Sequence, residues 1–256
     1  MLTQQQLAQF CEQGFIVLRG AAGQDACEEI IAFAQSQVMQ EAMPIEFEAD
    51  TQYPGAPDSH DAEGGRTARR LLQVYQRSSL LSEWATGPMV SGVIRQLLGE
   101  DALLVQAHHN CIMTKQPRFS SETGWHRDIR YWHYPRPELI SVWLALGNER
   151  VENGCLFVIP GSHRAAVLPE QLDAALFLRK DHPASQSLLE QAIPVELNQG
   201  DVLFFHSNLF HAAGRNQTLL TKYSLVYTYR AVDNPPLPET RSSKLPDVQL
   251  ELLVVS

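Results

Sequence analysis

The chain has 256 residues, of which 44% are apolar and 19% charged, and a net charge of −9. Those proportions belong to a globular chain long enough to bury a sizeable core, and no stretch approaches the roughly 20 apolar residues of a membrane span. The acidic balance argues against a nucleic-acid partner, which needs a basic face.

In chain order, Thr3 ahead of Gln4–Gln13 predicts a capped helix, with Leu7, Phe10 and Cys11 at helical spacing and Gly14 closing it. Phe15-Ile16-Val17-Leu18 reads as a strand and residues 25–40 as a second helix. Residues 48–66, rich in Gly, Pro, Asp and Ser, read as a mobile loop. Residues 70–77 look like a strand and residues 80–98 like one or two helices ending at Gly99. From Ala102 the character changes to short apolar strands at 103–115, 140–148, 155–159, 201–206 and 222–231, separated by turns such as Pro160-Gly161. Residues 165–194 interrupt them as a helical insertion. Helices followed by strands, without βαβ alternation, predict an antiparallel sandwich or jelly roll, mainly β, with helices packed outside. The expected organisation is a single domain over 1–256. It comprises a flank of helices and first strands over 1–100, a core over 101–232 and a tail over 233–256.

The four cysteines, Cys11, Cys27, Cys111 and Cys155, form no C-x-x-C pair and read as reduced thiols. Residues 1–5 show no basic or apolar leader pattern and residues 253–256 no sorting signal, so the expected location is cytoplasmic.

Chemistry concentrates in Gly124-Trp125-His126-Arg127-Asp128 and in Asn208-Leu209-Phe210-His211. Two imidazoles and a carboxylate are the ligand set of a non-haem Fe(II) facial triad, which leaves positions open for a co-substrate and O2. In an extended H-x-D tripeptide the outer residues point to one side, so His126 and Asp128 converge while Arg127 faces away. The third ligand must come from a distant strand, and His211 lies 83 residues after Asp128. Taken singly, each of the three reads more readily as a turn or core residue than as a ligand. His163, in Pro160-Gly161-Ser162-His163, reads as part of a turn rather than a ligand. His108, His109 and His206 are left out of the ligand set.

The chain resembles the phytanoyl-CoA dioxygenase family of Fe(II)/2-oxoglutarate-dependent oxygenases. The resemblance rests on Gln13-Gly14-Phe15-Ile16-Val17-Leu18 and His126-Arg127-Asp128. It rests also on the run from Asn153-Gly154 through Pro160-Gly161-Ser162-His163, and on Gly200-Asp201 through His206, His211 and Asn216. It implies a double-stranded β-helix with Fe(II) on His126, Asp128 and His211, and 2-oxoglutarate and O2 as co-substrates. The implied activity is hydroxylation of an unactivated C–H bond in a small molecule, with release of succinate and CO2. A carboxylate at Asp128 favours hydroxylation over halogenation in such proteins. The resemblance also implies an arginine about eleven residues after the distal histidine, to hold the far carboxylate of 2-oxoglutarate. This chain has Lys222 there, a point charge without the bidentate fork. Arg215 is the rival anchor, and Gln73, Cys111 and Trp143 match strands that line the family's pocket. Arg130, Tyr131 and Trp132 follow the H-x-D pair and read either as a substrate lip, with Arg130 and Trp132 in contact, or as a packed rim. The alternatives are another oxidative outcome on the same iron (desaturation, epimerisation or ring formation), a hydrolytic zinc enzyme using the same trio, and a non-catalytic jelly-roll binding module. Neither the substrate nor the oligomeric state is written in these motifs.

Overall fold

The computed structural model describes residues 1–51, 53–99 and 101–250. The helix α1 (Gln4–Gln13) begins with a reciprocal cap: the Gln6 amide donates to Thr3 Oγ1 at 3.2 Å and the Thr3 amide to Gln6 Oε1 at 2.8 Å. Gly14, at φ 81°, ends it in the left-handed region and turns the chain directly into β1 (Phe15–Leu18). Then come α2 (Gln24–Met39), β2 (Ile45–Phe47), β3 (Ala68–Leu72), α3 (Ser79–Thr86) and α4 (Pro88–Leu98). The strands β4 (Ala102–Lys115), β5 (Thr123–His126), β6 (Leu139–Ala145) and β7 (Leu156–Val158) precede α5 (Pro183–Leu189). The chain closes with β8 (Ile193–Val195), β9 (Val202–His206), β10 (His211–Ala213), β11 (Lys222–Ala231) and β12 (Val248–Gln249).

Two antiparallel sheets face each other. The larger runs β1-β9-β6-β11-β4-β3-β2, with β12 added beside β4, and the smaller runs β5-β10-β7-β8. This is a double-stranded β-helix. Its inner faces bury Phe15, Trp143, Leu156, Val158, Leu203 and Val226 between the sheets. The outer face of the large sheet is covered by the helices. There Tyr227 and Tyr229, both fully buried, donate their hydroxyls to the carbonyls of Leu81 and Ala85 in and around α3. Each ring contributes roughly 1.5–3 kcal/mol through burial, and the hydroxyl partners remove the penalty of enclosing a polar group. Strand alternation thus sends Tyr227 to the helices while Val226 faces the site.

Three expectations need correction. Residues 70–77 are not one strand: β3 ends at Leu72, because Gln73 takes a left-handed backbone (φ 54°) and a 3-10 turn follows at Val74–Gln76. The segment 165–194 is mostly loop. It carries one seven-residue helix, and its last residues already belong to β8. The segment 48–66 is not a bare loop, since it opens with a 3-10 turn at Glu48–Asp50 and Glu48 is fully buried against Arg69. In the tail, a 3-10 turn at Arg241–Ser243 and β12 hold the chain against β4, and residues 251–256 lie outside the described residues. No helix among the described residues is long and apolar enough to cross a membrane.

Candidate metal centre and its two cavities

His126 ends β5 and His211 opens β10, and the two are direct partners across that antiparallel pair. Their ring centroids are 4.2 Å apart. Asp128 begins the turn after β5. Its Oδ1 lies 3.7 Å from His126 Nε2 and 3.5 Å from His211 Nε2, and one donor atom from each of the three residues falls within 4.8 Å of the others. Arg127 points the other way, over the Phe210 ring at 4.2 Å, and donates to the carbonyls of Ser162 and Ala165. The Ser162 hydroxyl in turn accepts from the Phe210 amide at 2.9 Å. The Pro-Gly-Ser-His turn is therefore a clamp that fixes the two ligand-bearing segments to each other. His163 packs against His206 at 5.3 Å, outside the trio.

The donor set fits a divalent metal. Nδ1 of His126 donates to the Gly124 carbonyl at 2.8 Å, and Nδ1 of His211 to the Leu209 carbonyl at 3.0 Å. With those protons placed, both Nε2 atoms present lone pairs toward Asp128, the arrangement a histidine ligand needs. Burial, then the neighbouring His211 and Arg130, push the His126 imidazole well below its ordinary value, so it stays neutral. Burial works to raise the Asp128 carboxyl, but His109 and His211 beside it hold it well below the usual carboxylate range. The result is a neutral His126 imidazole beside an ionised Asp128 in a buried cluster.

His109 and Ser141 complete the carboxylate's surroundings: His109 Nε2 lies 3.0 Å from Oδ1 and Ser141 Oγ donates to Oδ2 at 2.9 Å. Burial works to lower the His109 imidazole, yet Asp128 raises it to about 9. His109 reaches this position because residues 106–109 bulge out of the β4–β11 ladder, whose register jumps from Tyr227↔Asn110 to Thr228↔Val105. Nothing in the sequence pattern marks such a bulge.

The trio sits between two cavities. The inner one, about 80 Å³, touches all three residues and runs between the sheets to Trp143, Lys115 and Lys222. The outer one, about 220 Å³, touches His126 and Asp128 and opens past Arg70, Arg130, Trp132 and Arg241. Phe177, from the 165–194 segment, closes the outer side, with its ring 5.7 Å from His126 and 3.8 Å below the Arg130 guanidinium. Trp132 stacks on His108 at 4.6 Å, and His108 is tied to Ser242 of the tail at 2.9 Å.

The remaining candidates fall as follows. Trp143 lines the inner cavity and Cys111 the outer one. Gln73 does neither: its left-handed backbone turns it out to solvent. Arg215 also stands apart: it donates to the Ser120 and Arg118 carbonyls and lines neither cavity. Lys222 does reach the inner cavity, but its Nζ is 3.1 Å from Glu149 Oε2. Glu149, fully buried, also accepts from Trp143 Nε1 at 2.9 Å and from Ser224 Oγ at 2.6 Å. Lys222, expected to hold the far carboxylate of 2-oxoglutarate, is half of a buried ion pair. Glu149 directly follows the segment 140–148 expected as a strand, and nothing in that pattern marks it as the partner of Lys222.

The sequence matches the family model described as Phytanoyl-CoA dioxygenase (PhyH) over residues 10–222. The chain belongs to the phytanoyl-CoA dioxygenase family. Among curated relatives, a probable phytanoyl-CoA dioxygenase of Caenorhabditis elegans is 28% identical over 165 residues. That match takes in 60% of this chain and 52% of the relative, so the chain spans about half of that relative's length. The ectoine dioxygenase of Sphingopyxis alaskensis is 27% identical over 251 residues, 91% of this chain and 77% of the relative. The crystal structure of EctD from S. alaskensis with 2-oxoglutarate and 5-hydroxyectoine superposes with a TM-score of 0.77 at 22% identity. It covers 92% of this chain and 78% of that one, and shares the fold.

Proposed function

We propose that this member of the family is a non-haem Fe(II)/2-oxoglutarate-dependent dioxygenase that hydroxylates an unactivated C–H bond of a small molecule. One observation carries the reading: the His126, Asp128 and His211 donor atoms gather within 4.8 Å, with both histidine tautomers fixed by their own carbonyls, at the junction of an inner and an outer cavity. Two cavities meeting at one metal trio suit a reaction with two organic reactants. When bound, Fe(II) and 2-oxoglutarate supply the oxidising chemistry that turns O2 and a C–H bond into an alcohol, with succinate and CO2 as co-products.

The protein's part is to bind, orient and exclude water. His126, Asp128 and His211 would hold the metal, and His109 and Ser141 hold Asp128. The inner cavity suits the co-substrate, because its far end is cationic. The outer cavity suits the substrate, with Arg130 and Trp132 at its rim and Phe177 shielding the metal side from solvent. The outer space of about 220 Å³ adjoins a wider cleft of about 740 Å³ that shares Glu46, Tyr53, Arg70 and Tyr131 with it. A small-molecule substrate is in keeping with the name of the ectoine dioxygenase relative.

The test is an anaerobic titration of metal-free protein with Fe(II) and then 2-oxoglutarate, read by the visible iron-to-ketoacid absorption band. The band should form in wild type and be lost in His211→Ala. Normal Fe(II) binding without any response to 2-oxoglutarate would overturn the reading.

A further inference from the structure

Four cations line the inner cavity: Arg69, Arg70, Lys115 and Lys222. Three of them already face a carboxylate. Arg70 Nε is 2.7 Å from Glu46, Arg69 Nη1 is 3.3 Å from Glu48, and Lys222 Nζ is 3.1 Å from Glu149. Lys115 differs. Only 8% exposed, it has no carboxylate within ion-pair distance among the described residues, and its Nζ donates to the Ser121 carbonyl at 2.9 Å. An ammonium has three donors, so two are left uncommitted.

Its position is set by the sheet. Lys115 ends β4 directly across from Lys222, which begins β11. Opposed residues in an antiparallel pair share a face, so both lysines enter the same end of the cavity. Asn216 fixes the backbone there by donating to the Lys115 carbonyl at 2.7 Å. Glu149 neutralises one of the two charges and leaves the other. Burial, then Arg69 and Lys222 nearby, lower the Lys115 ammonium to about 7, against the smaller opposing pull of Glu48 and Glu122, neither of which is within ion-pair distance. An uncompensated buried charge of this kind is unfavourable in the empty protein and becomes favourable when an anion arrives.

We propose that Lys115, and not Lys222, receives the distal carboxylate of 2-oxoglutarate in the inner cavity, while the Lys222–Glu149 pair forms a neutral wall beside it. This rests on the oxygenase reading above and assigns the co-substrate contact within it. The chain has then moved the anchoring cation from the first residue of β11 to the residue facing it on β4. Filling the cavity supplies Lys115 with its missing counter-charge.

The experiment trims the ligand as well as the residue. Anaerobic Fe(II)-protein is titrated with 2-oxoglutarate and with 2-oxopentanoate, which keeps the chelating keto-acid end and replaces the distal carboxylate with a methyl group. The visible band reports both affinities. Wild type should prefer 2-oxoglutarate by roughly 50-fold, the scale of one charge-assisted contact out of water. Lys115→Met should reduce that preference to about fivefold or less while binding 2-oxopentanoate as wild type does, which shows the metal end intact. The charge-neutral double variant Lys222→Met/Glu149→Gln should retain the preference within about threefold. Preference retained in Lys115→Met, or lost only in the double variant, overturns the assignment and leaves the oxygenase reading standing. Absence of a band with either keto acid removes that reading, and the assignment with it.

Discussion

Replacing Lys115 with methionine should make the ligand-free protein more stable at pH 6, and the gain should disappear as pH rises. The side chain is 8% exposed and its ammonium is lowered from 10.5 to about 7 in the folded protein. Between those values the unfolded chain binds the proton and the folded one does not. Wild-type stability therefore rises with pH across this window, by at most about 1.4 kcal/mol per unit. Below pH 7 the full penalty is present, a few kcal/mol and at most roughly 5. Methionine removes it, and nearly matches the lysine stem in shape. The substitution also strips the Ser121 carbonyl of its donor, which costs about 1–3 kcal/mol. The net gain at pH 6 is about 2 kcal/mol, or roughly 5 °C in the unfolding temperature of a chain this size. Near pH 10 the wild-type amine is neutral and still donates to Ser121, so the order of stabilities reverses. The assay is urea unfolding of metal-free wild type and Lys115→Met from pH 6 to 10. A variant less stable at pH 6, or a difference that does not change with pH, would refute the claim that Lys115 is a buried cation without a counter-ion.

Three further outcomes are expected. Asp128→Ala should abolish Fe(II) binding while His163→Ala retains full stoichiometry, read by equilibrium dialysis, because only the former contributes a donor to the cluster. His109→Gln should weaken Fe(II) binding by about 10–100-fold with the 2-oxoglutarate preference unchanged, since it acts on Asp128 at 3.0 Å and does not reach the co-substrate's far end. Lys222→Met alone should cost about 3–5 kcal/mol in urea unfolding, because Glu149 is left charged and fully buried, and adding Glu149→Gln should recover most of that loss.

Which parts of this molecule could be read from sequence follows from the range of the interactions involved. The α1 cap, the Gly14 turn and the strands β1 and β11 are local signals, and the structure places them at the expected residues. His126, Asp128 and His211 were legible as a set because the chemistry requires three particular residue types, and two of them share one extended tripeptide. The misses lie outside what a periodic pattern records. Residues 70–77 carry an apolar pattern that looks like a strand, but one left-handed residue, Gln73, reverses it, and that backbone choice leaves no periodic trace. His109 joins the site through a bulge, and Phe177 through a loop crossing from a segment expected to be helical.

The reading of Lys222 shows the limit most directly. A single sequence position suggests a charge in a pocket but not its neutralisation, and the outcome depended on Glu149, 73 residues away, accepting three donors at once. The same ladder that places Lys222 brings Lys115 opposite it across 107 residues of sequence. Swapping which of two facing lysines is paired leaves the strand pattern of both β4 and β11 unaltered, so only the partner's position reveals which one is free for an anion. On the Lys115 proposal, the anchoring cation in this barrel is set by the cross-strand pair and its nearest carboxylate, and the offset from the distal histidine alone does not determine it.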